Sequence, residues 1–126
     1  MTTAPPELVA PRTVDIIDDD ADLRRALRRL LLANGFSVRV HESAEAYLAS
    51  GNETDCLVLD VQLGGISGVQ LYSRLRERAS VPPVVFITAH QDLANDLARS
   101  GHACLQKPFD ELALVSAIND ACRSGR

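Results

Sequence analysis

Short apolar runs alternate with segments of helical periodicity along this chain of 126 residues. Five runs are strand candidates because each is four or five residues long and turn residues bound it. They lie at residues 14–17, 37–41, 56–59, 84–87 and 103–106. We take them as continuous apolar runs rather than alternating ones. Continuous runs are typical of strands in a parallel sheet that is buried on both faces.

A helical pattern follows each run. In the first helix, leucines form an apolar face that is expected to join the core. Four arginines form the opposite face, which could meet an acidic surface of a partner: Arg24, Arg25, Arg28 and Arg29. Gly35 ends this helix in the way a C-terminal glycine does. A second, shorter helix begins at Ser43 and stops near Gly51.

Three further helices complete the pattern. The third opens at Ser67, where Gln70 three residues later completes a capping box, and the prolines at 82 and 83 break it off. The fourth covers residues 91–100, and the fifth follows Asp110 to about residue 122. Strand and helix thus alternate five times. Right-handed crossovers then predict an α/β fold, a doubly wound five-stranded parallel sheet with helices on both faces.

Composition excludes several classes of protein. Hydrophobic residues make up 46% and charged residues 24% of the chain, which argues against disorder. The net charge of −4 and the absence of Trp argue against a nucleic-acid-binding surface. No apolar run is long enough to span a membrane, and residues 1–12 lack a signal-peptide pattern. Three cysteines without CxxC spacing predict neither a disulfide framework nor a zinc site, so we expect a cytoplasmic protein.

Polar residues collect at the ends of the predicted strands. Asp18 and Asp19 follow the first strand, Asp60 the third and Thr88 the fourth. Lys107, the only lysine beside twelve arginines, follows the fifth. Ligands of open α/β sheets bind outside the carboxyl ends of the strands. These five side chains are therefore the candidate site.

The residue types at this edge suit phosphoryl chemistry. Clustered carboxylates repel one another, and Mg²⁺ relieves that repulsion while it keeps positions for phosphate oxygens. A lysine adds a point charge for a phosphoryl oxygen, and a threonine adds a neutral hydroxyl. A carboxylate can itself attack phosphorus and form an aspartyl-phosphate. Such a transfer needs mainly positioning and charge neutralisation.

Five motifs in this order resemble the receiver domain of two-component response regulators, over about residues 13–123. They are Asp18-Asp19, Asp60, Gly68 eight positions later, Thr88-Ala89 and Lys107-Pro108-Phe109. The resemblance implies the flavodoxin-like (βα)5 form of the fold. It also implies that a histidine kinase or a phosphotransfer protein phosphorylates Asp60. The domain would be a signalling module of a two-component or phosphorelay system, and not an enzyme beyond its own phosphorylation and dephosphorylation.

The resemblance further assigns a role to each site residue. Asp19 would bind Mg²⁺ directly and Asp18 mainly through water, while Asp60 and the backbone carbonyl of Gln62 would complete the metal ligands. Thr88 and Lys107 would bind the phosphoryl group and switch the contacts with an output protein of unknown identity. We expect a monomer or a weak dimer, with no direct binding to nucleic acid or membrane.

Two positions depart from the family pattern. Gly64 stands where proline is usual, so we expect a more mobile loop after Asp60. Cys104 stands where a switch aromatic is usual, three residues before Lys107. A small thiol cannot swing as an aromatic ring does, so the output signal is expected to travel through backbone shifts instead.

Two alternatives stay open at this point. One is an aspartate-nucleophile phosphatase resembling the haloacid dehalogenase superfamily, with Asp18-x-Asp20 as its motif. The other is a pseudo-receiver that binds partners without phosphorylation. We also expect flexible tails at residues 1–12 and 124–126, and either a stand-alone receiver or a fragment of a longer regulator. The initial Met and short tail favour the stand-alone form.

Overall fold

The computed structural model describes residues 11–78 and 81–124. Within these ranges the strands are β1 Thr13–Ile17, β2 Ser37–His41, β3 Cys56–Asp60, β4 Val84–Thr88 and β5 Ala103–Gln106. The helices are α1 Ala21–Ala33, α2 Ala44–Ser50, α3 Gly68–Arg76, α4 Gln91–Arg99 and α5 Glu111–Ser124. All paired strands are parallel, in the order β2-β1-β3-β4-β5. The predicted doubly wound sheet is therefore confirmed.

The sheet separates two apolar cores. Alternate side chains of the inner strands point to opposite faces, so each strand contributes to both cores. On one face they pack against α1 and α5, through buried residues such as Leu27, Leu31, Leu114 and Ile118. On the other face they pack against α2, α3 and α4 around Phe86. This arrangement holds β1, β3 and β4 side by side between the two cores.

The prediction of continuous apolar runs was wrong for β2. Its residues alternate between apolar and polar, and Val40 is 39% exposed. The physical reason is position, because β2 lies at one edge of the sheet and pairs only with β1. A strand at the edge is covered less completely than the inner strands, which are buried on both faces. The inner strand β3 is buried along its whole length.

The helix ends agree with the predicted caps, with one difference. Ser67 and Gln70 form the expected capping box at the start of α3. The helix ends at Arg76, however, well before the prolines at 82 and 83. Leu75 is its last buried residue. The N–H groups of Glu77 and Arg78 donate to the carbonyls three residues earlier, those of Arg74 and Leu75. A tightened last turn, rather than proline, thus ends α3.

One prediction concerns the chain ends, and another concerns membrane-spanning segments. The expected tails lie almost wholly outside the described residues, which begin at residue 11 and end at residue 124. Of the helices described, none combines the length and the apolar character that a membrane span requires.

Candidate functional site

The fold brings the strand-end residues together at one edge of the sheet. β1 and β4 both pair with β3, so Asp18, Asp60 and Thr88 end neighbouring strands. All three are buried, at 0%, 4% and 0% exposure, although polar groups are mostly exposed in proteins. A buried carboxylate without full pairing destabilises the folded state, which makes such a group a candidate for function. The sequence prediction for this edge therefore agrees with the structure.

Three carboxylates form what we call the acidic cluster: Asp18, Asp19 and Asp60. One oxygen atom from each lies within 4.8 Å of the other two. Asp18 and Asp60 are buried, whereas Asp19 faces solvent. Oxygen donors of this kind, with one open side, fit a hard divalent cation such as Mg²⁺, which keeps several waters when bound.

Lys107 lies between the two buried carboxylates. Its Nζ donates to Oδ2 of Asp18 at 2.9 Å and to Oδ2 of Asp60 at 3.2 Å. The backbone N–H of Lys107 donates to the carbonyl of Thr88 at 2.7 Å, which ties the end of β5 to the end of β4. One ammonium facing three carboxylates leaves the site with a net negative charge. The site can therefore accept further positive charge.

The charges of the site shift two pKa values. Burial raises the pKa of Asp60, and the nearby charge of Asp18 adds to that rise. A hydrogen bond from the Gln62 amide and the charge of Lys107 oppose it without cancelling it. Burial alone would lower the pKa of Lys107, but its contacts with Asp18 and Asp60 raise it instead. Lys107 thus stays charged, and Asp60 is a carboxylate held in an unfavourable environment.

Backbone contacts fix the position of Asp18. Its N–H donates to the carbonyl of His41 at 3.2 Å, and its Oδ1 accepts from the N–H of Asp20 at 2.8 Å. Nη1 of Arg24 donates to its carbonyl at 2.7 Å. Arg24 was expected on the solvent face of α1 with the other arginines. The structure instead places it half-buried against the loop that carries the acidic cluster.

Two exposed side chains lie at the rim of the site. The N–H of Gln62 donates to Oδ1 of Asp60 at 2.9 Å, and the N–H of His90 donates to Oγ1 of Thr88 at 3.1 Å. Each rim residue therefore lies two positions after a predicted site residue and donates a backbone hydrogen bond to its side chain. Both side chains are exposed.

Cys104 is half-buried and packs against the core around Phe86. That core surface also holds an aromatic group, since Tyr72 and His102 both contact Phe86 edge-on at 5.5 Å between ring centroids. Cys104 is thus a small residue at the margin of this core. Cys122 is buried in the opposite core.

Sequence reasoning missed a third buried carboxylate, which lies outside the acidic cluster. Asp15 lies in the middle of β1 and is fully buried. Arg39 donates to it from Nε and Nη2, both at 2.9 Å, and His41 Nε2 lies 2.8 Å from its Oδ1. We call these three residues the Asp15 cluster. Burial would raise the pKa of Asp15, but its hydrogen bonds to His41 and Arg39 outweigh burial and lower the pKa to about 2.

The phosphatase alternative depends on Asp20 as a second acid in the site. Oδ1 of Asp20 instead accepts from the amides of Asp22 and Leu23, as the N-cap of α1. Asp20 is exposed, and the acidic cluster does not include it. The structure therefore does not support an Asp18-x-Asp20 catalytic pair.

Known proteins share this sequence pattern and this fold. A family model for the response regulator receiver domain matches residues 14–119. The transcriptional regulatory protein FixJ of Azorhizobium caulinodans is 40% identical over 110 residues, which cover 83% of this chain and 52% of FixJ. The chain thus spans about half the length of this curated relative.

Solved structures agree with the family match. Full-length FixJ from B. japonicum superposes with a TM-score of 0.82 at 32% identity, over 94% of this chain and 61% of that one. A response regulator receiver protein from Burkholderia phymatum gives a TM-score of 0.76, also at 32% identity, over 89% of this chain and 95% of that one.

Proposed function

Because this chain belongs to the response regulator receiver domain family, we propose that Asp60 accepts a phosphoryl group from a histidine kinase or a phosphotransfer protein. The observation that carries this assignment is the contact of Asp60 with Lys107, at 3.2 Å, inside a cluster that keeps excess negative charge. Among the three clustered carboxylates, Asp60 ends the central strand β3 and has a raised pKa. It is therefore both positioned and destabilised as a free carboxylate.

The proposed phosphoryl transfer exchanges one bond to phosphorus for another. A carboxylate oxygen of Asp60 attacks phosphorus in line with the leaving group, an O–P bond forms, and the N–P bond of the phosphohistidine donor breaks. The imidazole leaves with the electron pair and takes up a proton. The Lys107 ammonium would contact one phosphoryl oxygen, and the Thr88 hydroxyl would donate to another.

A metal ion belongs to the same proposal. We assign Asp19 as a direct ligand, Asp18 as a ligand mainly through water, and Asp60 and the backbone carbonyl of Gln62 as further ligands. Bound Mg²⁺ would neutralise charge on the phosphoryl oxygens. The donor chemistry of the acidic cluster supports this assignment, since all its side chains offer oxygen.

The output of the domain would follow from the contact between β4 and β5. A phosphoryl group that draws Thr88 and Lys107 toward itself also moves the ends of two strands, because the Lys107 amide is bonded to the Thr88 carbonyl. Cys104 offers no aromatic ring to relay this movement, so we assign the relay to the backbone. The module would bind and release partners rather than catalyse a reaction on them.

A cytoplasmic location fits the proposal. Cys56, Cys104 and Cys122 are all free thiols, and two of them are buried. Burial raises the pKa of Cys56 to about 12, so its thiol is unreactive. Free thiols are typical of a reducing compartment.

Intact-mass measurement tests the proposal. The protein is incubated with acetyl phosphate, with Mg²⁺ or with a chelator. We expect the mass of one phosphoryl group in the presence of Mg²⁺ and none with the chelator. Asp60→Asn should show no gain, whereas Asp15→Asn, a change at a buried carboxylate outside the site, should gain one group. Full labelling of Asp60→Asn would exclude Asp60 as the acceptor.

A further inference from the structure

Gly68, the first residue of α3, lies against the backbone of the proposed phosphoacceptor. Its N–H donates to the carbonyl of Val61 at 3.0 Å, and the residue is buried. Its backbone conformation is outside the left-handed region, so a larger residue could adopt it. The need for glycine here must therefore come from space rather than from conformation.

The space around Gly68 is closed by main-chain atoms. A Cβ at this position would lie 2.9 Å from Cα of Val61 and 3.0 Å from the carbonyl carbon of Asp60, and closer still to the Asp60 carbonyl oxygen. All three atoms belong to the backbone. No side-chain rotation could relieve these contacts, so either α3 or the end of β3 would have to move.

Both sides of this contact are anchored. α3 is held by Leu71 and Leu75, which are almost completely buried in the core around Phe86. The end of β3 is held by β4, since the N–H of Val61 donates to the carbonyl of Ile87 at 2.9 Å. Strain from an added Cβ would therefore concentrate at the peptide between Asp60 and Val61.

We infer that Gly68 is a positioning residue that sets the place of the Asp60 carboxylate by letting α3 rest directly on the Asp60–Val61 peptide. This inference rests on the proposed function of Asp60. The side chain of Asp60 is fixed at both oxygens, by the Gln62 amide and by Lys107. A displaced backbone would break this geometry, and an error of about 1 Å at a reacting group can cost roughly 10²-fold in rate.

A matched pair of glycine variants tests the inference. Gly64 lies in the loop between β3 and α3, and its backbone is outside the left-handed region. Apart from its own residue and its chain neighbours, no atom lies within 4 Å of the place that an added methyl group would take. Gly68→Ala and Gly64→Ala therefore make the same chemical change at a closed and at an open position. The measurements are urea unfolding without metal, Mg²⁺ affinity by calorimetry, and the rate of phosphorylation by acetyl phosphate.

We expect Gly68→Ala to unfold cooperatively but to lose about tenfold or more in phosphorylation rate and several-fold in Mg²⁺ affinity. Gly64→Ala should stay within about twofold of wild type in both, because its methyl group meets nothing. A Gly68→Ala protein within twofold of wild type in both measurements would overturn the inference. Loss of the cooperative transition would also overturn it, since Gly68 would then serve folding and not placement.

Failure of the proposed function would be visible separately. If the wild-type protein takes up no phosphoryl group, the proposal for Asp60 is wrong. Mg²⁺ affinity is measured without any phosphodonor, so it still decides whether Gly68 places the carboxylates of the acidic cluster. An unchanged affinity in that case would overturn the inference as well.

Discussion

Two carboxylate clusters lie close together at β1, since Asp15 belongs to one and Asp18, three positions later, to the other. Nearby cations neutralise the two clusters to different degrees. In the Asp15 cluster, one carboxylate has an arginine with two hydrogen bonds and a histidine with one. In the acidic cluster, three carboxylates share the ammonium of Lys107. The first cluster lies inside the sheet, and the second lies at its carboxyl edge.

The pKa values express this difference. The pKa of Asp15 falls to about 2, since its hydrogen bonds outweigh its burial, whereas burial and the charge of Asp18 raise the pKa of Asp60. Asp15 thus stabilises the folded chain as an ion, while the Asp60 ion opposes folding. A buried charge that the fold leaves underpaired is a candidate for function. Only Ile16 and Ile17, the last two residues of β1, separate a structural aspartate from Asp18 in the proposed phosphoacceptor site.

The largest expected effect is on stability at the Asp15 cluster. Asp15→Asn keeps the shape of the side chain but leaves Arg39 and His41 without a carboxylate. We expect a loss of about 3 kcal/mol in the free energy of unfolding, at the low end for a broken buried pair because Arg39 is partly exposed. Urea unfolding at pH 7 measures it.

The exposed pair of Asp22 and Arg25 on α1 supplies the control for that prediction. Asp22→Asn should lower the free energy of unfolding by less than about 1 kcal/mol. Equal losses in the two variants would show that the Asp15 cluster has no special structural role.

The pH dependence of stability should have opposite signs at the two clusters. Asp15 has a folded pKa of about 2 against an ordinary 3.8, so its stabilisation is complete above 3.8 and is lost as the pH falls through 2. That contribution corresponds to roughly 2 kcal/mol. Asp60 has a raised pKa in the folded state, so its protonated form contributes to stability. This contribution is complete below pH 3.8 and is lost as the pH rises through the folded pKa.

Urea unfolding from pH 2 to 7 in Mg²⁺-free buffer measures both effects. The stability deficit of Asp15→Asn should shrink toward pH 2. Asp60→Asn should gain on wild type as the pH rises above 3.8, because it lacks the unfavourable charge. Difference curves that slope the same way for both variants would contradict the comparison.

Removal of Lys107 should weaken function while the fold persists. Lys107 lies in a turn, 23% exposed, and its ammonium is the cation that contacts both buried carboxylates. We expect Lys107→Ala to phosphorylate about tenfold more slowly or to lose the spectral response to phosphorylation, as for a lost charge-assisted contact. Lys107→Arg keeps the charge, so its phosphorylation rate should fall between those of wild type and Lys107→Ala. A Lys107→Ala protein equal to wild type in rate and response would refute the role.

The smallest expected effect concerns the lifetime of the phosphoryl group. The backbone N–H groups of Gln62 and His90 donate to Asp60 and Thr88, and both side chains are exposed. We expect these side chains to border the approach of water to the phosphoryl group. Exchanging either for Ala should change the half-life of the phosphorylated protein several-fold, well below the roughly 10²–10⁴-fold of a true general base. Mg²⁺ affinity should stay nearly constant. Gln91→Ala, one residue beyond the rim, is the control. Unchanged half-lives in both rim variants would contradict the prediction and would show that hydrolysis depends on Asp60, Lys107 and the metal alone.

The sequence pattern predicted the acidic cluster because strand ends are visible as the places where apolar runs stop. It missed the Asp15 cluster because Asp15 lies inside such a run, and its partners come from another strand. Only the register shows that Asp15 lies opposite Arg39. The alternation of polar residues in the second strand was the available signal.

Two other differences have equally local causes. Helical periodicity placed Arg24 on the solvent face, but periodicity describes where a side chain starts and not where a long one ends. Its guanidinium reaches back to the Asp18 carbonyl. The prolines at 82 and 83 marked the limit beyond which α3 could not continue, whereas the helix ends earlier, in a tightened turn at Glu77 and Arg78.

Chemical mapping of the phosphoryl group tests the central claim most directly. The protein is phosphorylated with acetyl phosphate and Mg²⁺ and then treated with borohydride, which reduces an aspartyl-phosphate to homoserine. Peptide sequencing by mass spectrometry locates the product. We predict homoserine at position 60 and unmodified aspartate at positions 15, 18 and 19. Homoserine at any of those three positions, or at none of the four, would contradict it.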